Sequence, residues 1–175
     1  IRDSLTPFSW IYRTLSHMQI DLQPKMRTSV PIICVGNIVA GGAGKTPVTI
    51  ALADLCHEMG IKSHILSRGY GASVSYPDGH FVSVHDQFPN IGDEPLLMAR
   101  THPVCVASKR TDGAQKITQE TDADLIIMDD GLQNRDLYQD LKFLVIDGVS
   151  GIGNGQTIPA GPLRETWQHA LNRID

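Results

Sequence analysis

Several things are scarce in this 175-residue chain, and each scarcity excludes a class of protein. Basic residues are not in excess: 15 Lys and Arg face 19 Asp and Glu, a net charge of −4, which argues against a general nucleic-acid binder. No apolar run approaches the roughly 20 residues needed to span a bilayer, and the first residues lack the basic, apolar and small-residue regions of a secretory signal. Cysteine is limited to Cys34, Cys56 and Cys105, far apart, each within or beside an apolar run, with no C-x-x-C. That pattern reads as small buried thiols of a reducing compartment, not as a metal site or disulfide framework. Repeats and low-complexity tracts are absent. A hydrophobic content of 41% and a charged content of 19% belong to a globular chain, and the length suits one domain with a sizeable core.

What is present is organised around residues 30–46, VPIICVGNIVAGGAGKT. The β-branched run Val30, Ile32, Ile33, Val35 reads as a buried strand of a parallel sheet. It breaks at Gly36 into a loop with Gly41, Gly42 and Gly44, ends in Lys45-Thr46, and gives way to a helical pattern. Strand, glycine loop and helix in that order are the setting of a phosphate-binding loop. Glycines let backbone N–H groups close on phosphate oxygens, and the helix N-terminus adds partial positive charge. The loop would be residues 39–46: Val39, Ala40, Gly41, Gly42, Ala43, Gly44, Lys45 and Thr46. Lys45 would reach the β- and γ-phosphates of ATP, and the Thr46 hydroxyl would meet Mg²⁺. Val39 departs from the usual pattern, which has glycine there.

The N-terminal stretch places Phe8, Ile11, Tyr12, Leu15 and Met18 at the spacing of an amphipathic helix, with Thr6 as a cap and Pro7 in its first turn. Residues 1–29 carry a net +2, the remainder −6. Such a helix either packs on its own domain or lies in a membrane interface beside anionic lipid. The expected division is therefore residues 1–29 as this helix and residues 30–175 as the phosphate-loop domain.

Beyond the loop, Val48 to Met59 predict a mostly buried helix that ends at Gly60, and residues 61–66 the next strand. The right-handed crossover between the strands brings Ser67-Arg68-Gly69-Tyr70-Gly71 to the carboxyl edge of the sheet, where ligands of open α/β folds bind. Arg68 suits a phosphate or sugar oxygen there. Residues 74–85 read as a hairpin around Pro77-Asp78-Gly79. Asp93 and Glu94 open a short helix, a position that favours acids for the helix dipole and equally suits general-base or metal work. A strand over residues 104–107, a polar and exposed helix over 111–120, and the run DLIIMDD follow. An apolar strand ending in Asp129-Asp130, downstream of a phosphate loop, is how a carboxylate is presented to Mg²⁺. Asp130 either stands behind that carboxylate or forms the turn before Gly131. A strand over 141–146 leads into a Gly- and Pro-rich segment closing in Arg164-Glu165, either a linker or a substrate loop.

Taken in order, PFSWIYR, VGNIVAGGAGKTP, LSRGYG, GDEPLLMA, the PV-x-V-x-x-KR of residues 103–110, DDGLQ, VIDG, GNG and PAGPLRE resemble the tetraacyldisaccharide 4′-kinases. These enzymes of lipid A biosynthesis phosphorylate an acylated glucosamine disaccharide 1-phosphate. Their loop also lacks the first glycine. The resemblance implies ATP on residues 39–46, Asp93 activating the sugar hydroxyl, and Glu94 near the metal with Thr46 and Asp129. It implies Asp130 as the other member of the acidic pair, Gln133 in the same active-site loop, and Arg68 and Arg164 along the substrate cleft. It further implies ATP and Mg²⁺ as cofactors, an acylated disaccharide 1-phosphate lipid as acceptor, and the cytoplasmic face of the bacterial inner membrane as the partner of the N-terminal helix. Two departures stand out. Asn134 occupies a position where the family often has His, and the family's chains run nearly twice as long, with a later histidine that pairs with the catalytic aspartate. The start at Ile1 and the stop at Asp175 after a helix-like segment lead us to expect a fragment, inactive on its own.

The expected fold is a P-loop NTPase-like α/β domain, a mostly parallel sheet with flanking helices, a small β-hairpin insertion and an N-terminal amphipathic helix. The expected chemistry is phosphoryl transfer from ATP to a 4′-hydroxyl. The alternative is an ATPase or GTPase switch that hydrolyses nucleotide to regulate a partner. No guanine-reading N-K-x-D occurs, and the arginine-bearing loops suggest an acceptor pocket.

Overall fold

The computed structural model describes residues 26–83 and 85–175, together with Ser9 and Tyr12. The amphipathic pattern over residues 8–18 therefore lies almost wholly outside the described residues. Six strands form one sheet: β1 (Ile32–Gly36), β2 (Ser63–Ser67), β3 (His80–Phe81), β4 (Val104–Val106), β5 (Leu125–Asp129) and β6 (Leu141–Leu144), in the order β3-β4-β2-β5-β1-β6. All neighbours run parallel except β3, which lies antiparallel on β4 at the edge. The helices are α1 (Lys45–Glu58), α2 (Phe88–Ile91), α3 (Asp93–Met98), α4 (Arg110–Glu120) and α5 (Trp167–Leu171). Among the described residues, no helix is long and apolar enough to cross a membrane.

Alternation along the strands divides the core between the two faces of the sheet. Ile32, Cys34, Leu66, Ile126 and Met128 pack with Ala114 and Ile117 of α4 on one face. Val35, Ile65, Ile127, Val104 and Val106 pack with Ala53 and Cys56 of α1 and Met98 of α3 on the other. β5 is buried at all five positions, as its continuous apolar run requires. The three cysteines are buried free thiols, and desolvation pushes the Cys34 thiol up to about 12 and that of Cys105 up to about 11.

Three expectations are corrected. The segment around residues 74–85 is not a hairpin. Its turn forms, with Gly79 N–H donating to the Tyr76 carbonyl, but His80 and Phe81 pair with Val106 and Cys105 of β4, and Ser108 N–H donates to the Tyr76 carbonyl. Neighbouring backbone from β4 outcompetes the local arm. Next, α1 is not mostly buried: Thr49, Ala53 and Cys56 face the sheet, whereas Val48, Leu55 and Met59 are exposed. Finally, α4 is not an exposed helix, because Arg110, Gly113, Ala114 and Ile117 line a buried stripe. Its small residues let the helix approach closely; a Cβ on Gly113 would stand 2.6 Å from both the Ala107 methyl and Leu66 Cδ1.

Candidate active site

Register builds the site. Val35 lies level with Asp129, and Ser67 with Val106, so the loops leaving β1, β2, β4 and β5 emerge together at the carboxyl edge. The loop after β1 turns into α1 through Gly44, which adopts φ 79° at the N-cap. No acidic residue occupies the first turn of α1 to oppose an anion there. Asn37, fully buried, holds the first half of the loop from within, its Nδ2 donating to the Val39 carbonyl (2.8 Å) and the Gly41 carbonyl (3.4 Å). The segment of residues 162–164 lies alongside. Ala40 N–H donates to the Pro162 carbonyl, Arg164 N–H donates to the Ile38 carbonyl, and Val39 bridges antiparallel to Leu163. The Gly- and Pro-rich stretch is thus no linker; it laces Arg164 to the phosphate loop.

At the end of β5, Asp129 is only 2% exposed and accepts a hydrogen bond from Thr49 Oγ1 at 3.1 Å. Burial, the charge of Glu94 and that of Asp130 push its carboxyl up to about 6, against the pull of Thr49 and Arg110. Asp130 turns the chain with φ 48°, a left-handed conformation that Asp tolerates better than most residues. Its carboxylate lies 3.7 Å from Lys45 Nζ and 3.3 Å from Arg164 NH1, and Arg164 NH1 also donates to Gln133 Oε1 at 3.3 Å.

Arg68, Glu94, Asp129, Asp130, Gln133 and Arg164 all line one cleft of about 500 Å³. The structure thus brings together residues that lie almost a hundred positions apart. Thr46 follows Lys45 in the first turn of α1. Asp93 stands apart from the cleft lining; it is exposed at the start of α3, its Oδ1 accepting from Glu94 N–H at 2.9 Å. Gly92 sets this helix start with φ 93° and ψ 156°, a conformation reserved for glycine, and a Cβ there would meet the Tyr70 carbonyl oxygen at 2.5 Å.

Sequence reasoning missed Arg110. Its guanidinium is buried beside the acidic pair, NH2 donating to the Asp129 carbonyl at 2.7 Å, while Nε and NH1 have no hydrogen-bond partner among the described residues. Desolvation lowers its basicity to about 10. Its signal was available: it follows a strand end at the carboxyl edge, as Arg68 does. Asn37 and Thr49 were missed because they act on the loop and on Asp129 from inside the fold. Asn134, where His was the frequent alternative, caps the turn through its Oδ1, which accepts from Leu137 N–H at 3.0 Å.

A family model described as tetraacyldisaccharide-1-P 4′-kinase matches residues 1–175. The tetraacyldisaccharide 4′-kinase of Paramagnetospirillum magneticum is 47% identical over 171 residues, covering 98% of this chain and 52% of its own. That of Gluconobacter oxydans is 45% identical over 170 residues, covering 97% and 51%. The chain thus spans about half the length of the curated relatives it matches. Among solved structures, the "apo" form of LpxK from Aquifex aeolicus in complex with ATP superposes with a TM-score of 0.88 at 32% identity, over 99% of this chain and 57% of that one. A match from the first residue to the last leaves none of the described fold outside it, and the chain belongs to the tetraacyldisaccharide-1-P 4′-kinase family.

Proposed function

We propose that the protein of which these residues form part transfers the γ-phosphoryl group of ATP to the 4′-hydroxyl of a tetraacyl glucosamine disaccharide 1-phosphate in lipid A biosynthesis. The observation that carries this reading is the convergence of Lys45, the Asp129-Asp130 pair and Arg164 at one sheet edge. Phosphoryl transfer asks mainly for positioning and charge neutralisation. Loop amides of residues 39–46 and Lys45 would bind the triphosphate and stabilise charge on the group in transit. Arg68, Gln133 and Arg164 would orient the acceptor. Asp93 would take or steer the hydroxyl proton. The regulatory-switch alternative is not favoured, since the matching family and its relatives are kinases by name.

The donor set fits a hard divalent cation. Asp129 is a buried carboxylate whose proton affinity is raised by burial and by Glu94, a repulsion that a cation would relieve. Thr46, Asp129 and Glu94 would hold Mg²⁺. Bound there, the ion would neutralise phosphate charge. Residues 1–29 would meet the cytoplasmic face of the inner membrane, their basic residues toward anionic lipid.

The test uses the full-length protein. Lys45→Ala should abolish phosphate transfer to the disaccharide lipid while the circular dichroism spectrum and Tm persist. Retained turnover would reject the loop assignment. ATP consumption should also require the lipid; hydrolysis without it would favour the switch.

A further inference from the structure

One charged cluster remains outside the roles assigned so far. Glu165, whose side chain is 7% exposed, accepts hydrogen bonds at both carboxylate oxygens from Arg173 NH2, while His169 Nδ1 lies 2.8 Å from Oε2. Arg173 NH1 donates to the Leu132 carbonyl at 3.1 Å. Glu165 Oε1 also accepts from Gln133 Nε2 at 3.3 Å, and that same Nε2 donates to the Asn37 carbonyl at 2.9 Å. With its amide nitrogen committed in this way, Gln133 presents Oε1 to Arg164 NH1, which reaches Asp130.

From this chain of contacts we infer that Arg173 is a positioning residue for the phosphoryl-transfer site, acting through Glu165 on Gln133 and thereby on Arg164. The inference rests on the kinase reading above. Its physical content is a choice between two amide orientations. A glutamine side chain can present either oxygen or nitrogen to its neighbours. The Asn37 carbonyl and Glu165 carboxylate both demand the nitrogen, so the oxygen is left facing Arg164. Arg173 keeps Glu165 aimed, because its NH2 meets both carboxylate oxygens; without it the carboxylate is left to His169 at Oε2 and is free to turn. With Glu165 turned away, the Gln133 nitrogen keeps only the Asn37 carbonyl, the amide is free to reverse, and Arg164 then faces an N–H group in place of an acceptor. Arg173 makes a second hold through the Leu132 carbonyl, one residue before Gln133, which fixes the turn that carries the amide. The cluster differs from the substrate-lining arginines in purpose: its charge is spent on Glu165, not on phosphate.

A double-mutant cycle in the full-length enzyme tests this, with ATP and the tetraacyl disaccharide 1-phosphate as substrates. Arg173→Gln should lower kcat about tenfold, with the ATP KM changed less than twofold. In a Gln133→Ala background the same substitution should cost less than a further twofold, because the group it acts through is gone. Arg173→Lys, which retains charge but not the two-pronged hold, should fall between wild type and Arg173→Gln. If Arg173→Gln fails to fold, as judged by Tm and circular dichroism, Arg173→Lys carries the same cycle with a smaller expected loss. Multiplicative losses in the double variant, or an Arg173→Gln effect confined to the ATP KM, would overturn the inference while leaving the kinase reading intact. A wild-type enzyme that transfers nothing to the lipid would overturn both.

Discussion

Asp129 sits where the fold would be more stable without its charge, and Asp129→Asn makes this measurable. Its carboxyl stands at about 6 in the folded protein against 3.8 for the ordinary group. Differential proton affinity of that size corresponds to about 3 kcal/mol. The sign follows from linkage. A folded-state value above the unfolded one means that the native state binds the proton more tightly. That contribution is fully present below pH 3.8, falls away as pH rises toward about 6, and is gone above it. At pH 8 the wild type therefore bears the full cost of a desolvated carboxylate facing Glu94 and Asp130. Asn keeps the shape and the acceptor for Thr49 Oγ1 and carries no charge at any pH. Urea unfolding of full-length protein, monitored by circular dichroism, should show Asp129→Asn more stable than wild type by about 2–3 kcal/mol at pH 8, with the gain shrinking below about 1 kcal/mol near pH 4.5. Phosphoryl transfer should be lost in the same variant, the stability–activity opposition expected of a strained ligand site. A variant no more stable than wild type at pH 8, or a gain equal at both pH values, would refute the account of Asp129.

Other substitutions probe the neighbouring contacts. Thr49→Val removes the hydroxyl that favours the charged form of Asp129, so the acid limb of the kcat–pH profile should move to higher pH; an unmoved limb would detach Thr49 from the site. Asp93→Asn should lower kcat by roughly 10²–10⁴ with the ATP KM unchanged, as removal of a general base does, and an unaltered kcat would remove Asp93 from the chemistry. Gly92→Ala combines a backbone conformation closed to alanine with a methyl against the Tyr70 carbonyl, and should cost on the order of 3 kcal/mol in urea unfolding; a loss under about 1 kcal/mol would show that the loop yields easily.

The parallel sheet was legible because its strands are short, apolar and separated by helical periodicity, and the phosphate loop because its chemistry demands glycines followed by Lys-Thr. Arg68, Gln133 and Arg164 could be placed in the cleft by resemblance; the pairing of β2 with β5 brings the first two there, and the 162–164 segment laced to the phosphate loop brings the third. What could not be read depended on tertiary partners. The 74–85 segment carries turn residues that suit a hairpin, yet only the presence of β4 decides what Phe81 pairs with. The helix over 110–120 looks polar, since its inward stripe holds a single large apolar residue, Ile117, beside Gly113, Ala114 and Arg110, which hydrophobic periodicity hardly registers. Arg110 was hidden for the same reason. Exposure of Val48, Leu55 and Met59 was equally unreadable, because apolar residues at helical spacing ordinarily face a core.

The strand that ends in Asp129 comes fifth in the chain but lies between the first and second in the sheet. Among the described residues β1 pairs only with β5 and β6, so there the phosphate loop hangs from a strand whose lateral partners come from residues 125–144. During synthesis, a nascent chain that already contains the glycine loop would hold it on an unsupported segment, and such long-range pairing is slow to form. Competence to grip a nucleotide therefore waits on residues 125–144 and arrives together with the carboxylate that belongs beside the loop.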